Sequence, residues 1–258
     1  MLDLKVLNAS KEVLQEKVCG KSVYLVYNAA YEKGDSIYLD TQQKNAFVWI
    51  QFEDSMAPAL VYSPEGILDY PIPPCDNRQN HSPKSFTGSC HLIKAWLGKA
   101  EDSACLSFNP YDGHAATGYF PHATANVETR GESVFFARNA IDGVFANDSH
   151  GPYPYQSWGI NRDPNAALTL DFGRAVQVDE IRLTLRCDFP HDSYWTAATF
   201  AFDDGSEETV SLEKTPEPQA FKVNKVTQRV ILKNLIKAED ASPFPALTQI
   251  EVYGKWDF

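Results

Sequence analysis

Apolar residues recur at every second position along most of this chain, and that period of two is the spacing of a pleated strand with one buried face. Ile181, Leu183 and Leu185 alternate with Arg182, Thr184 and Arg186, and Leu168, Leu170 and Phe172 alternate with Thr169 and Asp171. Ala198, Phe200 and Phe202 run into Asp203-Asp204-Gly205, a turn signal, and Val210 and Leu212 follow. Val230-Ile231-Leu232 and Ile250-Glu251-Val252-Tyr253 complete the second half. The first half repeats the pattern at 23–27, 36–39, 47–52, 59–62 and 91–96. Helical signal is thin. Residues 10–18 read as a short amphipathic helix or a strand, and Ala137-Arg138-Asn139-Ala140 as a single turn. Many short strands separated by turns predict an all-β protein built of sandwiches or jelly rolls.

With 258 residues, of which 43% are hydrophobic, the chain is long enough for two modest cores. The polar run Gly98-Lys99-Ala100-Glu101-Asp102-Ser103 and the turn-rich Asn109-Pro110-Tyr111-Asp112-Gly113 separate the two strand sets. We therefore expect two tandem β-sandwich domains, 1–104 and 105–258.

A net charge of −11 repels phosphate backbones, which argues against nucleic acid as a partner. The sequence contains no basic block that would seek an anionic membrane surface, and no apolar run of about 18 residues that would span a bilayer. The first residues lack a basic segment followed by an apolar one. The expectation is a cytoplasmic protein as the chain stands, or an extracellular one if a leader has been removed. The cysteines Cys19, Cys75, Cys90, Cys105 and Cys187 are odd in number and irregularly spaced, which fits free thiols, with a Cys75–Cys90 bridge left open.

Two segments break the alternation and concentrate chemistry. They are Ser149-His150-Gly151-Pro152-Tyr153-Pro154-Tyr155-Gln156-Ser157-Trp158 and Arg186-Cys187-Asp188-Phe189-Pro190-His191-Asp192-Ser193-Tyr194-Trp195. Each sets aromatic rings beside planar hydrogen-bonding groups in a Pro-rich loop. Rings cover the C–H face of a sugar, while His, Asp and Arg read its hydroxyls. Trp195, Tyr153, Tyr155 and Trp158 are the stacking candidates, with core packing as the competing role for both tryptophans. Arg186, Asp188, His191, Asp192 and His150 are the hydrogen-bonding candidates. The competing role for Arg186 is an internal salt bridge to Asp188 or Asp192 that shapes the loop. Arg78, Asn80 and His81, in a Pro-flanked loop of the first half, are candidates for a second site.

Four ordered elements carry a family resemblance: Ala137-Arg138-Asn139-Ala140-Ile141-Asp142-Gly143, Ser157-Trp158, Leu168-Thr169-Leu170-Asp171-Phe172-Gly173, and Ile250-Glu251-Val252-Tyr253-Gly254. Together they resemble the discoidin or coagulation-factor C-type domain over about residues 105–258, and most of all its bacterial carbohydrate-binding modules. The resemblance implies a galactose-binding-like jelly roll that binds sugars, phospholipid head groups or proteins through loops at one end. In the first half, Tyr31 to Leu39 followed by Phe47 to Phe52 looks like part of another such jelly roll, with a different small β-sandwich as the alternative.

The resemblance also implies a structural calcium ion, the only cofactor expected. Its oxygens would come from Asp142, the Asn139 carbonyl and Asn147 or Asp148. The final-strand position is Gln249 rather than a glutamate, and an amide is the weaker ligand. If no ion binds, Asp142 caps its turn.

The sequence shows no Gly-x-Ser-x-Gly elbow, His-Glu-x-x-His site or Gly-rich phosphate loop. Carboxylates on one short loop also rarely straddle a glycosidic bond. The expected function is non-catalytic carbohydrate binding at the end of the C-terminal jelly roll. A protein-interaction or assembly module is the alternative, and a glycan-active hydrolase is a more distant one.

Overall fold

A computed structural model describes residues 1–188 and 192–256. In the first half, eight antiparallel strands form two four-stranded sheets. One sheet contains β1 (Leu2–Leu7), β2 (Val13–Cys19), β4 (Ser36–Asp40) and β7 (Ile67–Pro71), in the order β2-β1-β4-β7. The other contains β3 (Ser22–Tyr27), β5 (Ala46–Gln51), β6 (Ala59–Ser63) and β8 (His91–Leu97), in the order β3-β8-β5-β6. This is jelly-roll connectivity with the N-terminal strand in the place that the last strand normally takes. Inward residues alternate as the sequence predicts: Leu2, Leu4 and Val6 on β1, Val48 and Ile50 on β5, and Ile93 and Ala95 on β8 are fully buried. The ambiguous 10–18 stretch resolves as β2, whose residues are nearly all exposed at the edge of its sheet.

The second half forms a sandwich from one continuous sheet. Its strands are β9 (His122–Ala125), β10 (Trp158–Gly159), β11 (Leu168–Leu185), β12 (Trp195–Phe202), β13 (Glu207–Ser211), β14 (Gln219–Lys237) and β15 (Ala246–Lys255). The strands expected separately at 168–172 and 181–185 are the two ends of β11. That strand and β14 run through both layers. Leu168–Asp171 pairs with β9 and with Leu232–Arg229, whereas Gln177–Leu183 pairs with β15 and the start of β14. The ladder breaks between Asp171 and Val176, where the strand crosses from layer to layer. Gly173 sits there at φ 72°, its N–H bonded to Asp171 Oδ1 at 2.7 Å, and a Cβ at this position would collide with the Phe120 ring.

The two sandwiches are interlocked. Tyr62 and Phe120 exchange backbone hydrogen bonds of 2.9 and 2.8 Å, and Trp256 packs on Phe47 of β5. Beyond residue 104, Leu106 packs in the second core, but Tyr111 and Tyr119 are buried in the first. All five cysteines are free thiols, so no bridge joins Cys75 to Cys90.

Candidate functional site

Antiparallel pairing sets the ends of β11 and the starts of β14 and β15 side by side, since Leu183 faces both Gln219 and Ile250. Residues 143–157, 186–188, 192–194, 212–218 and 238–245 therefore gather at one end of the second sandwich. Arg186 ties them together from within. It is fully buried; Nε and Nη2 donate to Asp188 Oδ1 and Oδ2 at 2.9 and 2.8 Å, and Nη1 donates to the carbonyls of Tyr155 at 2.7 Å and Ala146 at 3.3 Å. Asn147 reaches the same knot, donating to the Leu185 and Pro216 carbonyls. Both loops singled out in the sequence do meet, and the guanidinium of Arg186 is what joins them.

This corrects several assignments. Arg186 and Asp188 spend their hydrogen-bonding capacity on each other and on loop carbonyls, which is the internal salt bridge rather than a ligand contact. Trp158 and Trp195 are fully buried, 6.4 Å apart between ring centroids, and Trp158 Nε1 donates to the Val127 carbonyl. Both tryptophans sit at inward strand positions, so they are core and offer no stacking face. Tyr155 is half-buried, and its backbone serves the Arg186 clamp. His150, Tyr153 and Asp192 are exposed. His191 lies outside the described residues. Beside the clamp, burial pushes the Cys187 thiol up to about 11, which keeps it protonated and a poor nucleophile.

Asn80 and His81 lie where the two sandwiches meet and line a cavity of about 240 Å³ together with Phe136 and Arg138, whereas Arg78 bonds within the first sandwich. Asn80 is buried and donates to Asn139 Oδ1 at 2.8 Å, His81 Nδ1 bonds Asn80 Oδ1 at 3.0 Å, and Arg78 reaches the Phe86 carbonyl. Burial, with Arg138 and Arg78 nearby, holds His81 well below the usual histidine range, so it stays neutral.

The expected calcium ligands converge, but on an amide nitrogen. Gln249 Nε2 donates to the Asn139 carbonyl at 2.8 Å, Asp142 Oδ1 at 2.9 Å and the Val144 carbonyl at 3.2 Å. Its Oε1 accepts the Gly143 N–H at 3.0 Å, which fixes the amide's orientation. Gln156 Nε2 donates to Asp142 Oδ2 at 2.7 Å. Asn147 Oδ1 points elsewhere and accepts from Thr248. A cation needs about 6–8 oxygens around an open centre, and here a donor occupies the centre. Among the described residues, no group of three or more His, Cys, Asp or Glu could hold a metal. The residues do not fit calcium. Burial instead raises the Asp142 carboxyl to about 6, with Arg138 and the two amides opposing that rise.

An open pocket of about 110 Å³ does exist at this end, beside rather than between the expected walls. Among the described residues, His150 is the one member of the two loops that lines it. The others include Phe135 on the floor, Ile160, and Phe244 with Pro245 from the loop before β15. Phe244 is 42% exposed, and the Arg162 guanidinium lies 4.4 Å over its ring. Arg130 lies 5.3 Å over Phe135 and forms an exposed fork with Glu132 at 2.6 and 2.8 Å. Among the described residues Arg162 has no salt-bridge partner.

The backbone around this pocket is strained. Asn161 and Arg162 adopt φ 48° and 61°, closed by the Asp163 N–H to Ile160 carbonyl bond of 2.8 Å, and Arg130 adopts φ 54°. Left-handed conformations cost a side-chain-bearing residue about 1 kcal/mol or more, and they collect at functional sites. Sequence reasoning missed Phe244 and Arg162. The signal for Phe244 was Ser242-Pro243-Phe244-Pro245, an aromatic residue in a Pro-rich loop, the same pattern that drew attention to Tyr153.

No known family's sequence model matches the chain, and no curated protein matches it. Several solved structures are similar to part of it. A family 32 CBM from C. perfringens NanJ, solved in complex with galactose, overlays with 20% identity and a TM-score of 0.39, covering 51% of this chain and 91% of that one. A chitosan-binding module of a chitosanase/glucanase from Paenibacillus sp. IK-5 overlays with 18% identity and a TM-score of 0.40, over 59% of this chain and 100% of that one. A Streptococcus pneumoniae fucose-binding module, SpX-3, overlays with 12% identity and a TM-score of 0.40, over 58% and 98%.

Proposed function

We propose that the protein binds carbohydrate non-covalently, without turnover, in the pocket between His150, Phe244 and Arg162. The observation that carries this reading is the pairing of the exposed Phe244 ring with the Arg162 guanidinium over an apolar floor, within reach of an exposed histidine. An aromatic face covers the C–H side of a sugar, and guanidinium and imidazole groups bond its hydroxyls. The Arg130–Glu132 pair is exposed, so it is worth little in place and can be exchanged for a ligand hydroxyl. Every hydroxyl contact replaces one with water, so a single sugar ring binds with Kd on the order of 0.1–1 mM.

Calorimetric titration of the full chain with a panel of monosaccharides tests the proposal. A sugar that binds the wild type and is lost on Phe244→Ala or Arg162→Ala, with the thermal midpoint unchanged, supports it. No heat with any sugar at tens of millimolar overturns it. A protein-interaction role has one observation in its favour. The β2 edge and neighbouring β3 expose Val13, Leu14, Val18, Tyr24 and Val26. Self-association measured by analytical ultracentrifugation, and its loss on Leu14→Lys, would favour that role.

A further inference from the structure

The pocket at Phe244 does not end at one ring. Past Arg130, Phe135 and His150, which line both, it opens into a wider cleft of about 520 Å³. The far wall of that cleft belongs to the other sandwich, through Asp76, Asn77 and Gln79. From these features we infer that the site takes an oligosaccharide of at least two linked units, the second seated in the cleft against Asp76 and Asn77. The inference rests on the carbohydrate reading above.

Three features support it. The first is a change in lining. The inner pocket is lined by Phe135, Ile160 and Pro245, whereas the cleft is lined by the exposed polar residues Asp76, Asn77 and Glu132. Carboxylate and amide groups bond hydroxyls, and a sugar unit outside an aromatic pocket has little else to offer. The second is charge. Asp76 and Glu132 outnumber Arg130 along the cleft, so it repels a polyanion and suits a neutral polyol.

The third is rigidity across the join between the sandwiches. The Tyr153 N–H donates to the Gln79 carbonyl at 2.6 Å, and Ser133 Oγ donates to Gln79 Oε1 at 3.0 Å. Asn80 is bound to Asn139 by a buried 2.8 Å hydrogen bond. Residues 76–80 are thereby pinned to the loop that carries His150 and to the segment beneath it. A wall held in place before the ligand arrives adds contacts without an ordering cost. The first sandwich thus gains a part in recognition.

The test compares galactose, glucose and N-acetylglucosamine with the β-linked di- and trisaccharides of each, titrated into the full chain. In whichever series binds, the disaccharide is expected to bind about tenfold more tightly than the monosaccharide, a gain of about 1.4 kcal/mol. The double variant Asp76→Ala/Asn77→Ala is expected to bring the disaccharide back to the affinity of the monosaccharide, and an unchanged thermal midpoint will show that it still folds. A disaccharide that binds no better than its monosaccharide overturns the inference and leaves the carbohydrate reading standing, as does a gain that survives in the variant. Failure of every sugar, single or linked, sinks both.

Discussion

The side-chain amide of Gln249 donates to the Asp142 carboxylate across 2.9 Å, joining the last strand to the turn at Asp142-Gly143. The same nitrogen collects the Asn139 and Val144 carbonyls. Oxygens that would surround a divalent ion are instead satisfied by a neutral donor belonging to the chain. Gly143 completes the arrangement at φ 78°, where a Cβ would strike Phe108.

Gln249→Glu should convert this arrangement into a metal requirement. Two buried carboxylates would face each other with the bridging donor gone, at a cost of about 3–5 kcal/mol in chelator. Calcium should then restore the thermal midpoint of the variant, whereas the wild type should melt identically with calcium and with chelator. A wild type that gains stability from calcium would refute this account of Gln249.

Asp142 gives a pH signature. Its folded pKa, about 6, lies above the ordinary 3.8, so between those values the folded state holds a proton that the unfolded state has released. This group's contribution therefore falls as pH rises through that window, by up to about 3 kcal/mol. Below the window the contribution is absent, and above it the penalty is constant. Urea titrations at several pH values should show that slope in the wild type and its absence in Asp142→Asn.

Arg186 should behave as a structural clamp. Arg186→Ala leaves the Asp188 carboxylate and two carbonyls without their donor, at a cost of about 3–5 kcal/mol. Arg186→Lys should recover little, because an ammonium cannot make the paired fork to Asp188. Chemical denaturation midpoints of the two variants decide this. A fully stable Arg186→Lys would show that charge alone suffices.

The tryptophans and Phe244 should separate stability from binding. Trp195→Ala empties part of the core and should cost about 3–5 kcal/mol. Phe244→Ala should leave the melting temperature within about a degree and remove sugar binding. Thermal melts run beside calorimetry read both, and loss of stability in Phe244→Ala would place that ring in the core.

Arg162→Gly should trade one property for the other. Glycine adopts the φ 61° conformation without strain, so the variant should gain about 0.5–1 kcal/mol. It also loses the guanidinium over Phe244, so its sugar affinity should drop. A variant neither more stable nor weaker in binding would remove Arg162 from the site.

The alternation of Leu168, Leu170 and Phe172, and of Ile181, Leu183 and Leu185, was enough to predict all-β sandwiches, because burial on one face of a strand imposes a period of two whatever lies around it. The same local reasoning located the two loops that meet at Arg186. What it could not supply was the direction of each side chain. Trp195 and Trp158 looked like sugar platforms because they border Pro-rich loops, but their strand positions point inward. Arg186 read as a free fork, but Asp188 and the Tyr155 carbonyl fill it. Phe244 and Arg162 stand 82 positions apart and face each other only because β10 and the start of β15 pair at Gly159 and Ala246. Strand periodicity is a local property, set by which atoms must leave water. A binding site depends on which loops the sheet brings to one end and on which polar groups the fold has already satisfied, and those are decided by tertiary contacts far apart in the chain.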